Sequence, residues 1–401
     1  MVDAAAPGKP LPRKWSWRVP TIVLIPFYLM LAGFLLRYAV YWRTSDHWGF
    51  TEYLRALCVY DCNAYERLAL YGYEGRPSGF DKGDANNWAF FPLFSILSWA
   101  SAKVTGVSVL VAGSVLANLI TVWAAVVAWP LFEGKLRAYF LFCFFLFVGP
   151  VSYYYTTPYT EGLFLLLTVA ALVLLKQRDY IAAGFTGAFM TATRSTGLIL
   201  VFAILIQALT DHRKDGGTVR SFIAGIFRRT DLMLAIALVP VGLCCLALYL
   251  YVHSGQYIGV DGRGDALAFV HIQRAWGRAF QNPFGNLWLA LSGQYKSGWT
   301  WSIGTELAFG LAAIGGLVLS LVMAIRRQWA WAVFTAFGVL LPLSTNTYSM
   351  IRFVSGLAPV LILGALMLAR WKWLFYVSLA VFLILDVLLL PTWIARTYYL
   401  M

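Results

Sequence analysis

Asp61, Glu66, Glu74, Asp81 and Asp84 all fall between Tyr60 and Phe94, in YDCNAYERLALYGYEGRPSGFDKGDANNWAFFPLF, although the chain has only 18 acidic residues in 401. Carboxylates held among aromatic side chains suit general-base work on a hydroxyl group. Asp61 heads the piece Cys62 to Tyr71, which reads as a short helix closed by Gly72. Its structural alternative is therefore an N-cap that accepts backbone N–H bonds. Trp88, Phe90, Phe91 and Pro92, with the tyrosines at 60, 65, 71 and 73, predict an amphipathic collar in the membrane interface, holding the carboxylate just above the bilayer.

Three further charges stand among apolar residues. Glu161 follows the turn-like SYYYTTPYT and opens an apolar helix, where a first-turn acid also suits the helix dipole. Arg194 in MTATRSTGL and Arg352 in TYSMIRFVSG flank helix ends, and their guanidinium groups suit a phosphate. The alternative is ion pairing within the bundle, with acids such as Asp386. LAFVHIQRAWGRAFQNPF places His271, Gln273, Arg274, Trp276 and Arg278 on an expected interfacial amphipathic helix, otherwise a solvated lid. No HExxH, ligand pair or Asp-x-Asp signals a metal, and there is no phosphate-binding glycine loop or dinucleotide fingerprint.

The elements that must position these groups are membrane helices. The chain is 60% hydrophobic and 12% charged, with 17 Trp, 22 Tyr and 28 Phe, so the fold class is all-α and polytopic. Apolar runs predict about eleven helices, at 19–42, 108–131, 138–151, 160–175, 181–193, 196–210, 231–252, 303–325, 329–343, 354–369 and 374–395. Connections carrying KLR (135–137), KQR (176–178), residues 212–229, RR (326–327) and RWK (370–372) hold 17 basic residues together with the N-terminal tail. Those connections are expected to face the cytoplasm, which accounts for the net charge of +13 without nucleic-acid binding. Residues 43–107 and 253–302 then form two outer loops, and the short helices between Lys176 and His212 must turn over near Arg194. One integral domain, 1–401, is expected. No cleavable leader is apparent, so the first apolar run should remain as a helix, its N-terminus cytoplasmic.

Five cysteines, at 58, 62, 143, 244 and 245, show no metal spacing, and the last three fall in apolar segments as packing residues. On one continuous helix Cys58 and Cys62 would have Cβ atoms about 5–6 Å apart, too far for a disulfide, so both are expected as free thiols.

Taken in order, YDCNAYERLALYGY, NNWAFFPLF, TTPYTEGLFLLL, FTGAFMTATRSTG, LAFVHIQRAWGR and SMIRFVSGLAPVLILGA resemble the successive motifs of the PIG-V family, the GPI mannosyltransferase 2 family and its bacterial relatives. The resemblance spans nearly the whole chain. It implies a GT-C glycosyltransferase architecture, with a catalytic carboxylate in the first outer loop and a polyprenyl-phosphate sugar as donor. The family's loop-one aspartate falls on Asp61, and its other blocks place Glu161, Arg194, Gln273, Arg278 and Arg352 around the same cavity. The implied activity is inverting transfer of mannose from polyprenyl-phosphate-mannose to an acceptor hydroxyl at the outer face of the plasma membrane, with no cofactor and no required metal. The acceptor stays open among glycan lipid, protein and inositol phospholipid. The alternative from another class is a lipid or glycolipid transporter, which would show paired half-repeats with broken helices; none is evident.

Overall fold

The computed structural model describes residues 19–46, 48–75, 87–257, 264–273, 278–294 and 303–395, and every regular element among them is helical. The first half comprises α1 (Val19–Thr44), α2 (Phe50–Leu57), α3 (Asp61–Tyr71), α4 (Leu93–Thr105), α5 (Val109–Ala128), α6 (Leu136–Val148), α7 (Tyr153–Thr156), α8 (Glu161–Lys176), α9 (Tyr180–Thr193) and α10 (Leu200–Lys214). Then come α11 (Val219–Gly225), α12 (Thr230–Leu238), α13 (Val241–Tyr257), α14 (Ala268–His271), α15 (Pro283–Leu291), α16 (Ile303–Ile325), α17 (Trp329–Leu343), α18 (Met350–Ser355), α19 (Ala358–Leu368) and α20 (Lys372–Ile394).

Each apolar run carries helix, but the runs do not match helices one to one: 231–252 is divided between α12 and α13, 354–369 between α18 and α19, and 138–151 outlasts α6. Among the described residues six stretches are long and apolar enough to cross a membrane: Thr21–Thr44, Val109–Phe132, Ser195–Lys214, Thr230–Gln256, Gly304–Ile325 and Lys372–Ile394. Large apolar side chains such as Leu35, Trp123, Leu248, Leu321 and Leu388 remain exposed along them. That is the surface of an integral membrane protein, whose solvent is hydrocarbon.

Two buried apolar cores meet on α8. Leu165, Val169 and Leu172 belong to the core built with α1, α5, α6, α19 and α20, while Phe164, Ala171 and Leu175 belong to the core of α9, α10, α16 and α17. Small residues let neighbouring helices approach closely, as is usual between membrane helices. A Cβ added at Gly33 of α1 would come within 2.0 Å of the Phe147 carbonyl oxygen on α6. The same approach brings Arg37 Nη1 to the Phe147 carbonyl (2.6 Å) and to Ser152 Oγ (2.9 Å), and Ser152 Oγ donates to Asp386 Oδ1 (2.9 Å). Asp386 thus serves the buried Arg37, not Arg194 or Arg352.

The expected outer loops hold more helix than their polarity suggested. Residues 43–107 carry α2, α3 and α4, the last packed on α5 and closed by Gly106 at φ 74°. Among the described residues the expected amphipathic helix of the second loop is the four-residue α14, with a 3-10 turn at Ile272 and Gln273. Helix α15 follows, capped by the Asn282 side chain, which accepts from the Phe284 and Gly285 amides.

The thiol expectation is overturned: Cys58 and Cys62 form a disulfide with Cα atoms 5.1 Å apart. The i, i+4 helical distance does not apply, because the helix is interrupted between them. Cys58 ends α2 outside helical geometry, and Tyr60 turns the chain at φ 52° before α3 begins. Of the remaining three cysteines Cys143 is buried, whereas Cys244 and Cys245 are exposed instead of packed inside.

Candidate active site

The corner between α2 and α3 is fixed from several sides. Trp393, near the end of α20, donates its indole N–H to the Leu57 carbonyl (3.0 Å) and sets its ring edge-on to Tyr60. Tyr159 donates its hydroxyl to the Val59 carbonyl (2.8 Å), and the disulfide joins the two sides of the turn. Asp61 leaves this corner as the first residue of α3. The cap position belongs to Tyr60, which makes no side-chain cap bond, so Asp61 is not the N-cap.

Instead its carboxylate accepts from Arg352. Arg352 Nη1 donates to Asp61 Oδ2, and Arg352 Nε donates to Glu161 Oε1. The same Glu161 oxygen accepts from Arg194 Nη2 at 2.8 Å. Two carboxylates and two guanidinium groups therefore form one continuous chain, Asp61–Arg352–Glu161–Arg194, in charge-assisted hydrogen bonds. The side chain of Glu161 is 1% exposed and that of Asp61 24%, so of these two carboxylates Asp61 is the one open to the cavity. Burial works against the charge on Arg352, but Glu161 and Asp61 outweigh it and hold the guanidinium protonated. Its plane lies over the rings of Tyr154 (5.4 Å) and Tyr159 (4.8 Å), a cation–π contact on each.

Asp61, Arg194 and Arg352 face one cavity of about 710 Å³. Tyr65, Phe91, Gln273 and Arg278 also line it, so residues from the stretch 253–302 share one space with those from 43–107. Phe353 carries Arg194 and Arg278 against its ring, at 5.7 Å and 5.4 Å. Burial pushes the Tyr65 phenol up to about 12, which keeps it protonated and able to donate. Its oxygen lies 3.4 Å from Thr160 Oγ1.

Other expected site residues are placed elsewhere. Glu161 lies behind the cavity wall. His271 pairs with Asp265 at 2.7 Å and does not line the cavity. Trp88 is fully buried, donating to the Glu74 carbonyl (2.7 Å) inside a satellite core with Phe91, Leu250 and Phe269. The collar is thus an inner wall: Tyr65, Phe90 and Phe91 are buried against protein, and Tyr71 alone of that set is widely exposed. Arg274, Trp276, Asp81 and Asp84 lie outside the described residues. Sequence reasoning missed Tyr154, Tyr159, Trp393 and Phe353 as site residues; the tyrosine-rich SYYYTTPYT was the available signal. Among the described residues no group of three or more His, Cys, Asp or Glu side chains comes together.

No family model matches the chain. The probable potassium transport system protein Kup 3 of Sinorhizobium medicae (strain WSM419) is 35% identical over 18% of this chain and 13% of that protein. The Kup 2 protein of Rhizobium meliloti (strain 1021) is 34% identical over 16% of this chain and 12% of that protein. Among solved structures, the apo oligosaccharyltransferase of Archaeoglobus fulgidus aligns with 96% of this chain and 56% of its own, at 12% identity and a TM-score of 0.49. The same enzyme tethered with an acceptor peptide gives 13% identity and a TM-score of 0.47 over 55% of its chain. The chain thus spans a little over half the length of that enzyme, and a small fraction of the curated relatives.

Proposed function

We propose that this protein is an integral membrane glycosyltransferase of the GT-C type, moving mannose from polyprenyl-phosphate-mannose to an acceptor hydroxyl at the outer face of the plasma membrane. The observation that carries this reading is the meeting of Asp61, Arg352 and Arg194 on one aromatic-walled cavity large enough for a sugar and a phosphate. The order of the sequence blocks that resemble the PIG-V family supports the choice of mannose and of a lipid-linked donor.

In this reaction the acceptor oxygen attacks C1 of the sugar as its proton passes to Asp61. The C1–O bond to phosphate breaks on the opposite side, its electron pair leaves with polyprenyl phosphate, and the anomeric centre inverts. Arg194, Arg352 and Arg278 supply positive charge where the phosphate develops negative charge. Because a lipid phosphate is already a good leaving group, the scheme calls for no metal. The Arg352–Asp61 bond then describes the donor-free state: an arriving phosphate competes for Arg352, and loss of that bond frees the Asp61 carboxylate to accept from the acceptor hydroxyl.

The short likeness to potassium transport proteins covers less than a fifth of the chain. The cavity does not favour that second reading, since Asp61 and Glu161 are already held by arginines and not offered to a cation. Incubating purified protein with a panel of polyprenyl-phosphate sugars tests the proposal. Release of free polyprenyl phosphate from the mannosyl donor is expected; no release from any donor by folded protein would overturn it.

A further inference from the structure

A second cavity, of about 290 Å³, lies at the far end of the bundle from Asp61. Helix α8 marks the separation, because its first residue, Glu161, holds Arg352 and its last, Lys176, lines this other space. Three places bring cations to it: Lys176 at the end of α8 with Arg178 just after it, Lys214 at the end of α10, and Arg327 between α16 and α17. Lys176 Nζ is 3.6 Å from Glu133, Lys214 Nζ is 3.5 Å from Asp211, and Arg178 is bound by Asp215 at 2.7 and 2.9 Å. Among the described residues no carboxylate pairs with Arg327.

Cations are not the whole lining. Asp211 is buried in it, accepting from Tyr180 Oη at 2.9 Å, and Glu133 stands at its edge. Gln328 Oε1 is buried with no hydrogen-bond partner among the described residues. An anion alone would leave that acceptor unsatisfied, and a buried orphan acceptor is costly. A ligand that fits must bring a negative group for Arg327, Lys214 and Lys176 and a hydrogen-bond donor for Gln328. Trp329 and Trp331 line the same opening, and tryptophan settles at the headgroup level of a bilayer.

We propose that this cavity binds the headgroup of a phospholipid, its phosphate held by Arg327, Lys214 and Lys176 and its terminal ammonium or hydroxyl donating to Gln328 Oε1. Ethanolamine and glycerol headgroups meet both requirements, whereas choline carries a phosphate but no donor. The site stands on this cavity alone and does not depend on the transferase reading.

The test is native mass spectrometry of the delipidated full-length protein with phosphatidylethanolamine, phosphatidylglycerol, phosphatidylcholine or inorganic phosphate. Retention of the first two over phosphatidylcholine is expected, with inorganic phosphate unable to displace them. Arg327→Ala with Lys214→Ala should lower retention of every lipid by about tenfold or more. Gln328→Leu should erase the preference over phosphatidylcholine while leaving phosphatidylcholine binding as it was. Equal retention of all three lipids by the wild type would overturn the proposal, as would lipid retention indifferent to loss of Arg327 and Lys214. Displacement by inorganic phosphate at equal concentration would assign the cavity to free phosphate. Unaltered melting and elution of each variant confirm that the readout reports binding.

Discussion

Arg352 donates to Asp61 across 291 positions of sequence, so α3 and α18 share one hydrogen bond at the cavity. The same arginine donates to Glu161. Arg352 therefore ties a part-exposed carboxylate to a buried one, and the two acids sit differently: Glu161 anchors the arginines, and Asp61 lines the cavity.

Asp61→Asn tests that division. The amide keeps an oxygen for Arg352 but has no basicity, so the variant should fold, bind donor and lose about 10²–10⁴-fold in transfer rate. Normal transfer by this variant, measured as polyprenyl phosphate release, would remove Asp61 from the mechanism.

Lysine in place of either arginine keeps the charge and loses the planar fork. Arg352 serves Glu161 through Nε and Asp61 through Nη1, a geometry no ammonium reproduces. Arg352→Lys and Arg194→Lys should each lower turnover by about 10²-fold, with donor affinity reduced. Full turnover and unchanged donor affinity in both would leave the arginines with an ion-pairing role alone.

Glu161→Ala should act on stability first. It leaves Arg194 and Arg352 close together with Asp61 as their single carboxylate, and removing one partner of a buried ion pair costs about 3–5 kcal/mol. A sharp fall in detergent melting temperature is expected. An unchanged melting temperature would show that the pairs contribute nothing net.

The disulfide makes a count. Alkylation of unfolded, unreduced protein should modify only Cys143, Cys244 and Cys245, and prior reduction should expose all 5 cysteines. Five modified thiols without reduction would rule the bond out. Because the bond closes the turn from which Asp61 emerges, Cys58→Ser should lower kcat more than it raises KM for donor.

How much of this was legible in the sequence depended on the range of the interaction. Long, mainly apolar runs announced helices such as α5 and α16, since some twenty residues dominated by one polarity leave few alternatives. Helix α4 was hidden because Ser95, Ser98, Ser101 and Lys103 break the apolar run LFSILSWASAKVT within a polar neighbourhood. Asp61, Arg194 and Arg352 were visible as charges out of place. That they pair with one another and Glu161 was not, because nothing local in the chain records which distant helices meet. The disulfide was misread for a local reason, the left-handed turn at Tyr60, a conformation that side-chain type alone rarely signals.

Orientation is checked by cysteine labelling in a background lacking Cys244 and Cys245. Thr51→Cys on α2 and Arg220→Cys on α11 are both exposed positions, one on the Asp61 side and one in the basic connection after α10. An impermeant reagent should label Thr51→Cys from outside the cell and Arg220→Cys only after permeabilisation. The reverse pattern would place the cavity in the cytoplasm, where nucleotide sugars are available, and would undo the case for a lipid donor.

The bond between Arg37 and Asp386 by way of Ser152 sets a schedule for biogenesis. Ribosomes deliver helices to the bilayer in order, so α1 enters carrying an arginine whose carboxylate partner, on α20, has yet to be synthesised. A charge at the centre of an inserted helix costs about 2.5–3.5 kcal/mol by insertion measurements. Until α20 arrives Arg37 can donate to the Phe147 carbonyl and Ser152 but has no counter-charge, a mark that membrane quality-control proteases can read. Truncated or stalled chains would keep that mark, and only chains that have added α20 would lose it.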